Sequence, residues 1–327
     1  MSRKKIELGR VRLCLINCSL KENMTTTGTC QLCGKDAVLE ESHIVPKFVI
    51  RHQKKTSATG YMRSNKAVNL RAQDGHKEHM LCGACEDLFN EWETPFSNHI
   101  YYPWASDQKH QSLCELSYGA WMLKFAVSVS WRALTWYMKK ASDEQVSFSK
   151  EMVAEIDKAL STWKRFLLGE LPHPDKYQQH MILLDAIERT TYDSDVLPSN
   201  LNRFLTRGIY INLAHSDGKP QFIYTKMGKV SLLGFIGIKY PRQWVGTKLH
   251  VKEGVVGGDI SLPSQFMDYL IELAKTVPEL QKKLSERQID VIKRTIDGNQ
   301  DRASTSETYR MMAADIDMFG ESRVFSK

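Results

Sequence analysis

The chain has 327 residues, of which 42% are hydrophobic and 25% are charged, and its formal net charge is +7. This length and apolar content suffice for two domains with separate cores, so a disordered chain is excluded as a starting hypothesis. The positive charge favours association with a polyanion but excludes no class of function. An apolar run at residues 11–18 is too short for a secretory signal, so the seven cysteines are not expected to form an extracellular disulfide framework.

Residues 1–27 are predicted to be an N-terminal extension, and the expected location of the protein is the cytoplasm. Met24 begins the run Met-Thr-Thr-Thr-Gly-Thr-Cys, so a translation start at Met24 is an alternative to Met1. Cys14 and Cys18 fall within the extension with three residues between them. We interpret both as non-ligands.

Two cysteine pairs of identical spacing form the most specific motif in the chain. Cys30 and Cys33 enclose Gln-Leu, and Cys82 and Cys85 enclose Gly-Ala. This spacing is typical of a knuckle turn that directs two thiolates at one ion, and two such turns complete a tetrahedral zinc site. The sequence therefore predicts a structural Zn²⁺ ion held by all four cysteines.

A histidine-bearing strand and a helix adjoin the cysteine pairs. Residues 38–45 predict a short strand that carries His43, and residues 85–93 predict the start of a helix. The order of knuckle, strand, long excursion, knuckle and helix resembles the zinc-stapled ββα-metal, or HNH, endonuclease family. The resemblance extends over about residues 28–105, within a predicted domain at residues 28–108.

The residues at the end of this segment also resemble those of the family. Leu81-Cys82-Gly83-Ala84-Cys85-Glu86-Asp87-Leu88-Phe89-Asn90 is similar to the family's Leu-Cys-x-x-Cys-His-x-Leu-Phe-Asp ending. The resemblance implies that His43 is the general base and that Glu86 holds a catalytic divalent ion. Asn90 lies one helical turn after Glu86 on the same face and is implied as a second ligand. Carboxylate and amide oxygens suit Mg²⁺ or Mn²⁺.

Each of these assignments has an alternative. Many family members carry Asp or His directly before the base, where this chain has Ser42, and Glu41 is interpreted as the replacement because strand alternation places it on the face of His43. Asn69 is the candidate for the family's middle asparagine, with Asp74 and His79 as alternatives. His43 could instead be a structural histidine, and Glu86 a first-turn glutamate favoured by the helix dipole.

Basic residues cluster in the excursion between the two cysteine pairs. Because they lie beside the candidate phosphodiester site, they are predicted to contact backbone phosphates, with an ordinary solvated face as the alternative. The excursion is longer than a minimal ββα motif requires, which predicts an added hairpin or lid that contacts substrate. The candidate contact residues are Lys47, Arg51, Lys54, Lys55, Arg63, Lys66 and Arg71.

A larger domain is predicted at residues 109–300, after a junction lined by aromatic core residues. Residues 112–140 predict a buried central helix, in which Lys124 and Arg132 exclude a membrane span. The segments that follow predict a helix capped by Ser142-Asp143, an antiparallel meander, a strand, a glycine-rich turn and two helices separated at Pro278. Their predicted ranges are 142–169, 180–187, 208–215, 222–226, 229–239, 244–251, 253–258 and 262–297, before a polar tail at 301–327 with a weak closing helix.

The predicted fold class is α+β, with a zinc-stapled ββα-metal module followed by a larger α+β domain. The predicted function is metal-dependent hydrolysis of phosphodiester bonds, with double-stranded DNA preferred to RNA as the substrate. A bacterial anti-phage or mobile-element system is the context that the resemblance implies. A protein partner or a homodimer through the second domain is expected, and a membrane is not. The alternatives are a catalytically degenerate zinc module that recognises nucleic acid or protein, and a purely structural zinc domain within a larger complex.

Overall fold

Helices and strands alternate through the residues that the computed structural model describes, 26–106, 115–193 and 195–325. The predicted α+β class is confirmed. The elements before residue 107 are β1 (Thr27–Thr29), β2 (Asp36–His43), α1 (Lys47–Lys55), β3 (Met62–Ser64), β4 (Ala67–Ala72), β5 (Lys77–Cys82), α2 (Gly83–Phe96), a π-helical turn (Ser97–Tyr101) and α3 (Tyr102–Ser106).

The elements after residue 114 include one long antiparallel sheet and most of the helices. They are β6 (Glu115–Tyr118), α4 (Trp121–Asp143), α5 (Lys150–Leu167), β7 (Gln179–Leu183), α6 (Leu201–Thr206), β8 (Ile209–Ser216), β9 (Lys219–Met227), β10 (Val230–Phe235), a 3₁₀ turn (Pro241–Gln243), β11 (Gly254–Gly257), α7 (Ser264–Gln281), α8 (Glu286–Asp297), α9 (Gln300–Thr305), α10 (Glu307–Phe319) and α11 (Glu321–Val324).

The sheet that carries both cysteine pairs has the strand order β1-β2-β5. Strands β2 and β5 pair antiparallel with Leu39 opposite Cys82, and a bulge interrupts the register between Glu40 and Glu41. Helix α2 begins directly after β5. The predicted strand at residues 38–45 and the predicted helix at residues 85–93 are therefore confirmed as β2 and α2.

The excursion between β2 and β5 contains a helix as well as the predicted hairpin. Strands β3 and β4 pair antiparallel. Helix α1 was not predicted, because its basic residues dominate the sequence pattern. It forms because Val49 and Ile50 are buried on its inner face while its lysines remain at the surface.

The predicted central helix exists as α4, but it is shorter at its N-terminus. It packs against α2, α5 and the four-stranded sheet of order β7-β10-β9-β8, which is the predicted meander. The prediction of helix across residues 115–118 was wrong because these residues form β6, which pairs with β11 in the predicted glycine-rich turn. Gly254 permits that pairing, since a Cβ atom there would lie 2.4 Å from the Tyr118 hydroxyl oxygen.

Three further boundaries differ from the predictions. Ser142 and Asp143 end α4, and Ser149 caps α5 by accepting the Met152 N–H at 3.1 Å. Residues 244–251 make only isolated bridges instead of a strand. Pro278 does not break α7, because Asn200 Nδ2 donates at 3.2 Å to the Ala274 oxygen that a residue-278 N–H would otherwise bond.

The predicted closing helix of the polar tail is present as α10, and it is docked on the rest of the chain together with α9 and α11. Asp315 of α10 is buried and accepts a 2.7 Å hydrogen bond from Arg203 Nε. Glu307 at the start of α10 is also buried, and its oxygen lies 2.7 Å from Arg207 Nη1. Because an unpaired buried charge would be costly, the docked position of these helices requires both arginine partners.

The predicted junction near residue 108 lies among residues 107–114, outside the described residues. One cluster of buried side chains extends from Cys30 to Val256, on both sides of that junction. The division into two domains stays a prediction. Within the described residues, no helix combines the length and the apolar composition that are needed to cross a bilayer.

Arg132 is the most deeply buried charged group of α4 and contacts the first sheet. Its side chain is 2% exposed, and Nη2 lies 2.6 Å from Glu93 Oε1 on α2. Its Nη1 donates at 3.0 Å to the backbone oxygen of His43. The guanidinium carbon also lies 5.0 Å from the centre of the Phe89 ring. Arg132 therefore holds α2, α4 and the end of β2 together.

Replacing this guanidinium should destabilise the fold. Arg132→Met keeps most of the side-chain volume but leaves the Glu93 carboxylate without its partner, so we expect a loss of about 3 kcal/mol in the free energy of unfolding. Unfolding in guanidinium chloride, monitored by tryptophan fluorescence, measures this free energy. Arg165→Met is the matched control, because the Arg165 and Glu170 side chains are both exposed and their ion pair should contribute under about 1 kcal/mol. Equal effects of the two substitutions would contradict the role of Arg132.

Candidate functional site

The four predicted zinc ligands converge at one end of the first sheet. Cys30 and Cys33 lie in the turn between β1 and β2, Cys82 ends β5 and Cys85 lies in the first turn of α2. Their four sulfur atoms all lie within 4.8 Å of one another, and the Sγ atoms of Cys33 and Cys82 are 3.8 Å apart. Zinc–sulfur bonds of about 2.3 Å in a tetrahedron place sulfurs about 3.8 Å apart. The four cysteines could thus hold a metal ion such as zinc.

The backbone of the first knuckle is arranged around Cys30. The Gly34 N–H donates to the Cys30 oxygen at 2.8 Å, and Gly34 has a φ of 76°, a left-handed conformation that glycine adopts without strain. The Cys82 N–H donates to Cys30 Sγ at 3.4 Å. Burial alone would raise the pKa of the Cys30 thiol, but backbone N–H groups of Cys33, Cys82 and Leu32 lower it to about 7. These donors favour the thiolate that a metal ion requires.

His43 ends β2, and its ring is held by the carboxylate of Asp74, which lies between β4 and β5. Its side chain is 15% exposed, and Nε2 lies 3.0 Å from Asp74 Oδ1. The Gly75 N–H donates to the same oxygen at 2.9 Å. Because an ionised carboxylate only accepts hydrogen bonds, Nε2 of the neutral imidazole carries the proton and Nδ1 keeps its lone pair. This is the arrangement of an oriented general base.

Lys77 connects Asp74 with Glu41 beside the imidazole. Its Nζ lies 2.9 Å from Asp74 Oδ2 and 2.8 Å from Glu41 Oε2. Burial acts to raise the pKa of Asp74, but the hydrogen bonds from Lys77 and His43 outweigh it and hold that pKa far below its usual value. The hydrogen bond from Lys77 also lowers the pKa of Glu41. Both carboxylates are therefore ionised at neutral pH, and Glu41 shares the neighbourhood of His43 as predicted.

The remaining candidates near the base are placed differently. Ser42 is 1% exposed, so its side chain lies in the core, on the opposite side of β2 from the imidazole. Asn69 does not contact His43; its side chain accepts a 2.8 Å hydrogen bond from the Ser285 N–H and donates at 3.2 Å to the Lys283 oxygen. His79 Nδ1 lies 3.2 Å from the Leu39 oxygen. Of the three residues considered for orienting His43, the structure brings Asp74 to it.

Glu86 and Asn90 lie on α2 one turn apart, as predicted. Glu86 is in the first turn, and its Oε1 atom is buried without a hydrogen-bond partner among the described residues. Asn90 is exposed. Besides the four cysteines, no group of three or more His, Cys, Asp and Glu side chains in the described ranges lies close enough together to hold an ion. A buried carboxylate oxygen without a donor is nevertheless a position that a cation would satisfy.

The predicted phosphate contacts fall into two groups. Lys47, Arg51 and Lys55 are exposed and recur every four residues, so they share one face of α1. Arg71 is also exposed. The others have partners within the protein: Lys54 with the Gln73 oxygen, Arg63 with the Val68 oxygen and Gln288, and Lys66 with Glu144.

Sequence reasoning missed Lys77, Glu93 and Arg132 as residues of this neighbourhood. The only available signal for Lys77 was its strand position, which places it opposite His43 once β2 and β5 are paired in register. Arg132 and Glu93 gave no signal because their meeting depends on how α4 packs on α2. Cys14 and Cys18 lie outside the described residues.

Comparison with known proteins identifies no relative of this chain. A scan against models of protein families, a search of curated proteins and a search of solved structures each find no match.

Metal analysis tests the cysteine cluster directly. We expect about one zinc per chain in the purified protein, and under about 0.1 in Cys82→Ser, because three ligands bind the ion far more weakly than four. The same substitution should lower the melting temperature by about 10 °C, since the ion joins β5, α2 and the first knuckle. Cys14→Ser is the matched control and should change neither quantity. Full zinc content in Cys82→Ser would contradict the assignment.

Proposed function

We propose that this chain is a metal-dependent endonuclease that hydrolyses phosphodiester bonds of nucleic acid, with double-stranded DNA as the preferred substrate. The observation that carries the proposal is the pairing of His43 with Asp74 on a strand–strand–helix unit that the four cysteines join. This is the arrangement that the resemblance to ββα-metal nucleases implies for a base and its support. An anti-phage or mobile-element role is the proposed context.

In this proposal His43 takes the proton from the attacking water. Nδ1 is the acceptor, because Nε2 donates its proton to Asp74. The ionised Asp74 keeps the imidazole in one tautomer and stabilises the imidazolium that forms when the proton arrives. Asp74 acts through His43 and is therefore a positioning residue. Arg132 fixes the backbone of the same residue by donating to the His43 oxygen.

Glu86 is the proposed protein ligand of the catalytic ion, with Asn90 beside it. No described residue donates to the buried Oε1 of Glu86, and such an oxygen fits a cation better than a solvated carboxylate would. When bound, Mg²⁺ or Mn²⁺ supplies charge neutralisation at the phosphate and the leaving oxygen. Such ions keep several waters and use one or two protein carboxylates, so a three-residue cluster is not required. Glu41 is a weaker candidate because Lys77 already neutralises it.

The basic face of α1 is the proposed contact for the substrate backbone. Helix α1 begins four residues after His43, so Lys47 lies at the edge of the candidate site. Arg51 and Lys55 extend the same face away from it. A row of cations leading from the base would hold a polyanion without reading its sequence.

A second candidate function is recognition of nucleic acid or protein by a zinc module that has lost catalysis. The observation that favours it is Lys77, whose ammonium lies between Asp74 and Glu41 and occupies the place where a cation would meet both carboxylates. A structural zinc domain within a larger complex is the third candidate. Both predict binding or assembly without cleavage.

Cleavage of a supercoiled plasmid with Mg²⁺ or Mn²⁺ separates these functions. We expect nicking by the wild type, a rate about 10²–10⁴-fold lower for His43→Ala and a comparable loss for Glu86→Ala. Asp74→Asn should lower kcat about tenfold or more with KM unchanged, because it affects the base and not substrate binding. His79→Ala, an exposed histidine of the same sheet, is the control and should cleave normally. Cleavage that persists in His43→Ala would disprove the mechanism, and binding without cleavage by the wild type would favour the second function.

A further inference from the structure

A cleft separates the β3–β4 hairpin from helix α8. It has a volume of about 300 Å³ and is lined by Arg71, Val291, Arg294 and Thr295. Arg71 belongs to the region where sequence analysis expected phosphate contacts, whereas Arg294 lies in the C-terminal helices, far away in the sequence. The cleft therefore brings together two cations that no sequence pattern relates.

The two walls of this cleft are fixed to each other. Asn69 of β4 accepts a hydrogen bond from the Ser285 N–H at the start of α8 and donates to the Lys283 oxygen. Arg63 of β3 donates at 2.9 Å to Gln288 Oε1 on α8. These contacts join both strands of the hairpin to the first turn of α8. The cleft is consequently formed before any ligand arrives, which lowers the entropic cost of binding.

The charges in the cleft are of one sign. Its lining has two guanidinium groups and no carboxylate. Arg71 lies over the Tyr61 ring, 4.4 Å from its centre, which orients the guanidinium without neutralising it. Arg294 Nε donates at 3.4 Å to the backbone oxygen of Asp290. Within residues 26–106, 115–193 and 195–325, neither arginine forms an ion pair with a carboxylate. Two exposed guanidinium groups in a rigid cleft match the geometry of phosphate oxygens.

The cleft also lies close to the candidate catalytic pair along the chain. Arg71 precedes Asp74 by three residues, and three residues of extended chain span at most about 10 Å. Successive phosphates of a duplex strand step around the helix as well as by about 3.4 Å along its axis, so a straight-line separation of about 10 Å corresponds to only about two nucleotides. A strand with its scissile phosphate at His43 would place a nearby phosphate within reach of Arg71.

We propose that the cleft between β4 and α8 binds the backbone of a nucleic-acid strand a few nucleotides from the bond at His43, with Arg71 and Arg294 each contacting a phosphate. The inference deepens the proposed function and rests on it for the identity of the ligand. An extended polyanion fits better than a compact nucleotide, because the lining offers Val291 as its single apolar side chain and no aromatic ring for a base. The C-terminal helices would then form part of the substrate site.

Fluorescence anisotropy with a labelled 20-base-pair duplex tests this inference in the full chain. All proteins carry His43→Ala so that cleavage does not interfere, and the dissociation constant is measured at several salt concentrations. We expect Arg71→Gln and Arg294→Gln each to weaken binding about fivefold and to reduce the slope of log K against log salt by about 0.9. Lys293→Gln is the matched control, because Lys293 is an exposed cation of α8 whose helical position places it off the face that carries Val291 and Arg294.

The outcomes separate this inference from the proposed function. An unchanged dissociation constant and salt slope in the Arg71→Gln, Arg294→Gln double variant would overturn the cleft, even if the wild type cleaves DNA. An equal loss in Lys293→Gln would also overturn it, because general charge would then explain the effect. Weakened binding in the double variant alone supports the cleft, whether or not the wild type cleaves. Arg71→Lys with Arg294→Lys should restore the salt slope, which distinguishes lost phosphate contacts from misfolding.

Discussion

The convergence of four cysteine sulfurs is the constraint on which the arrangement of residues 26–96 depends. Strand β1 has only three residues, so the sheet consists mainly of the β2–β5 pair, and a two-stranded sheet is marginally stable without further packing. The cluster joins the β1–β2 turn to the end of β5 and to the first turn of α2, so one ion would fix the directions of all three. His43 at the end of β2 and Glu86 beside Cys85 depend on those directions.

A second constraint comes from charged groups that meet around His43. Asp74 holds the imidazole, Lys77 holds Asp74, and Arg132 binds the backbone oxygen of His43 while pairing with Glu93. Asp74, Lys77 and Arg132 each also contact β2, at His43, at Glu41 and at the His43 backbone oxygen respectively. The candidate base is thus immobilised by the hairpin, by β5 and by the central helix together, which is how a precise proton acceptor is built.

The same contacts reduce the number of carboxylates that could bind a catalytic metal ion. Lys77 pairs with both Asp74 and Glu41, so each of these carboxylates already has a cationic partner and is less available to a metal ion. Among the carboxylates proposed for the site, Glu86 then remains as the one whose buried oxygen has no donor within the described part of the chain. We therefore propose that the catalytic metal binds on α2 and that proton transfer occurs on β2, with the hairpin and α8 contributing substrate contacts.

Sequence alone identified the features that depend on local spacing. The two knuckles, the strand that ends at His43, the helix after Cys85 and the antiparallel meander follow from periods and turns within a few residues. The choice of Asp74 over Asn69 could not be predicted, because both precede the second knuckle and only the path of the hairpin places one beside His43. The continuity of α7 through Pro278 depends on Asn200, whose contact is a tertiary one. Helix α10 was taken for a tail because its buried carboxylates look polar until their arginine partners are known.

The central claim is that one metal ion holds the fold at the four cysteines and a different ion works beside His43. Anomalous diffraction from crystals grown with Mn²⁺ and a short, non-cleavable DNA duplex tests it most directly. The account predicts a peak at the zinc edge surrounded by four sulfurs at about 2.3 Å, and a separate peak at the manganese edge beside Glu86 Oε1 and a phosphate oxygen. A zinc peak with DNA bound but no manganese peak at Glu86 would contradict the catalytic claim and leave a binding module.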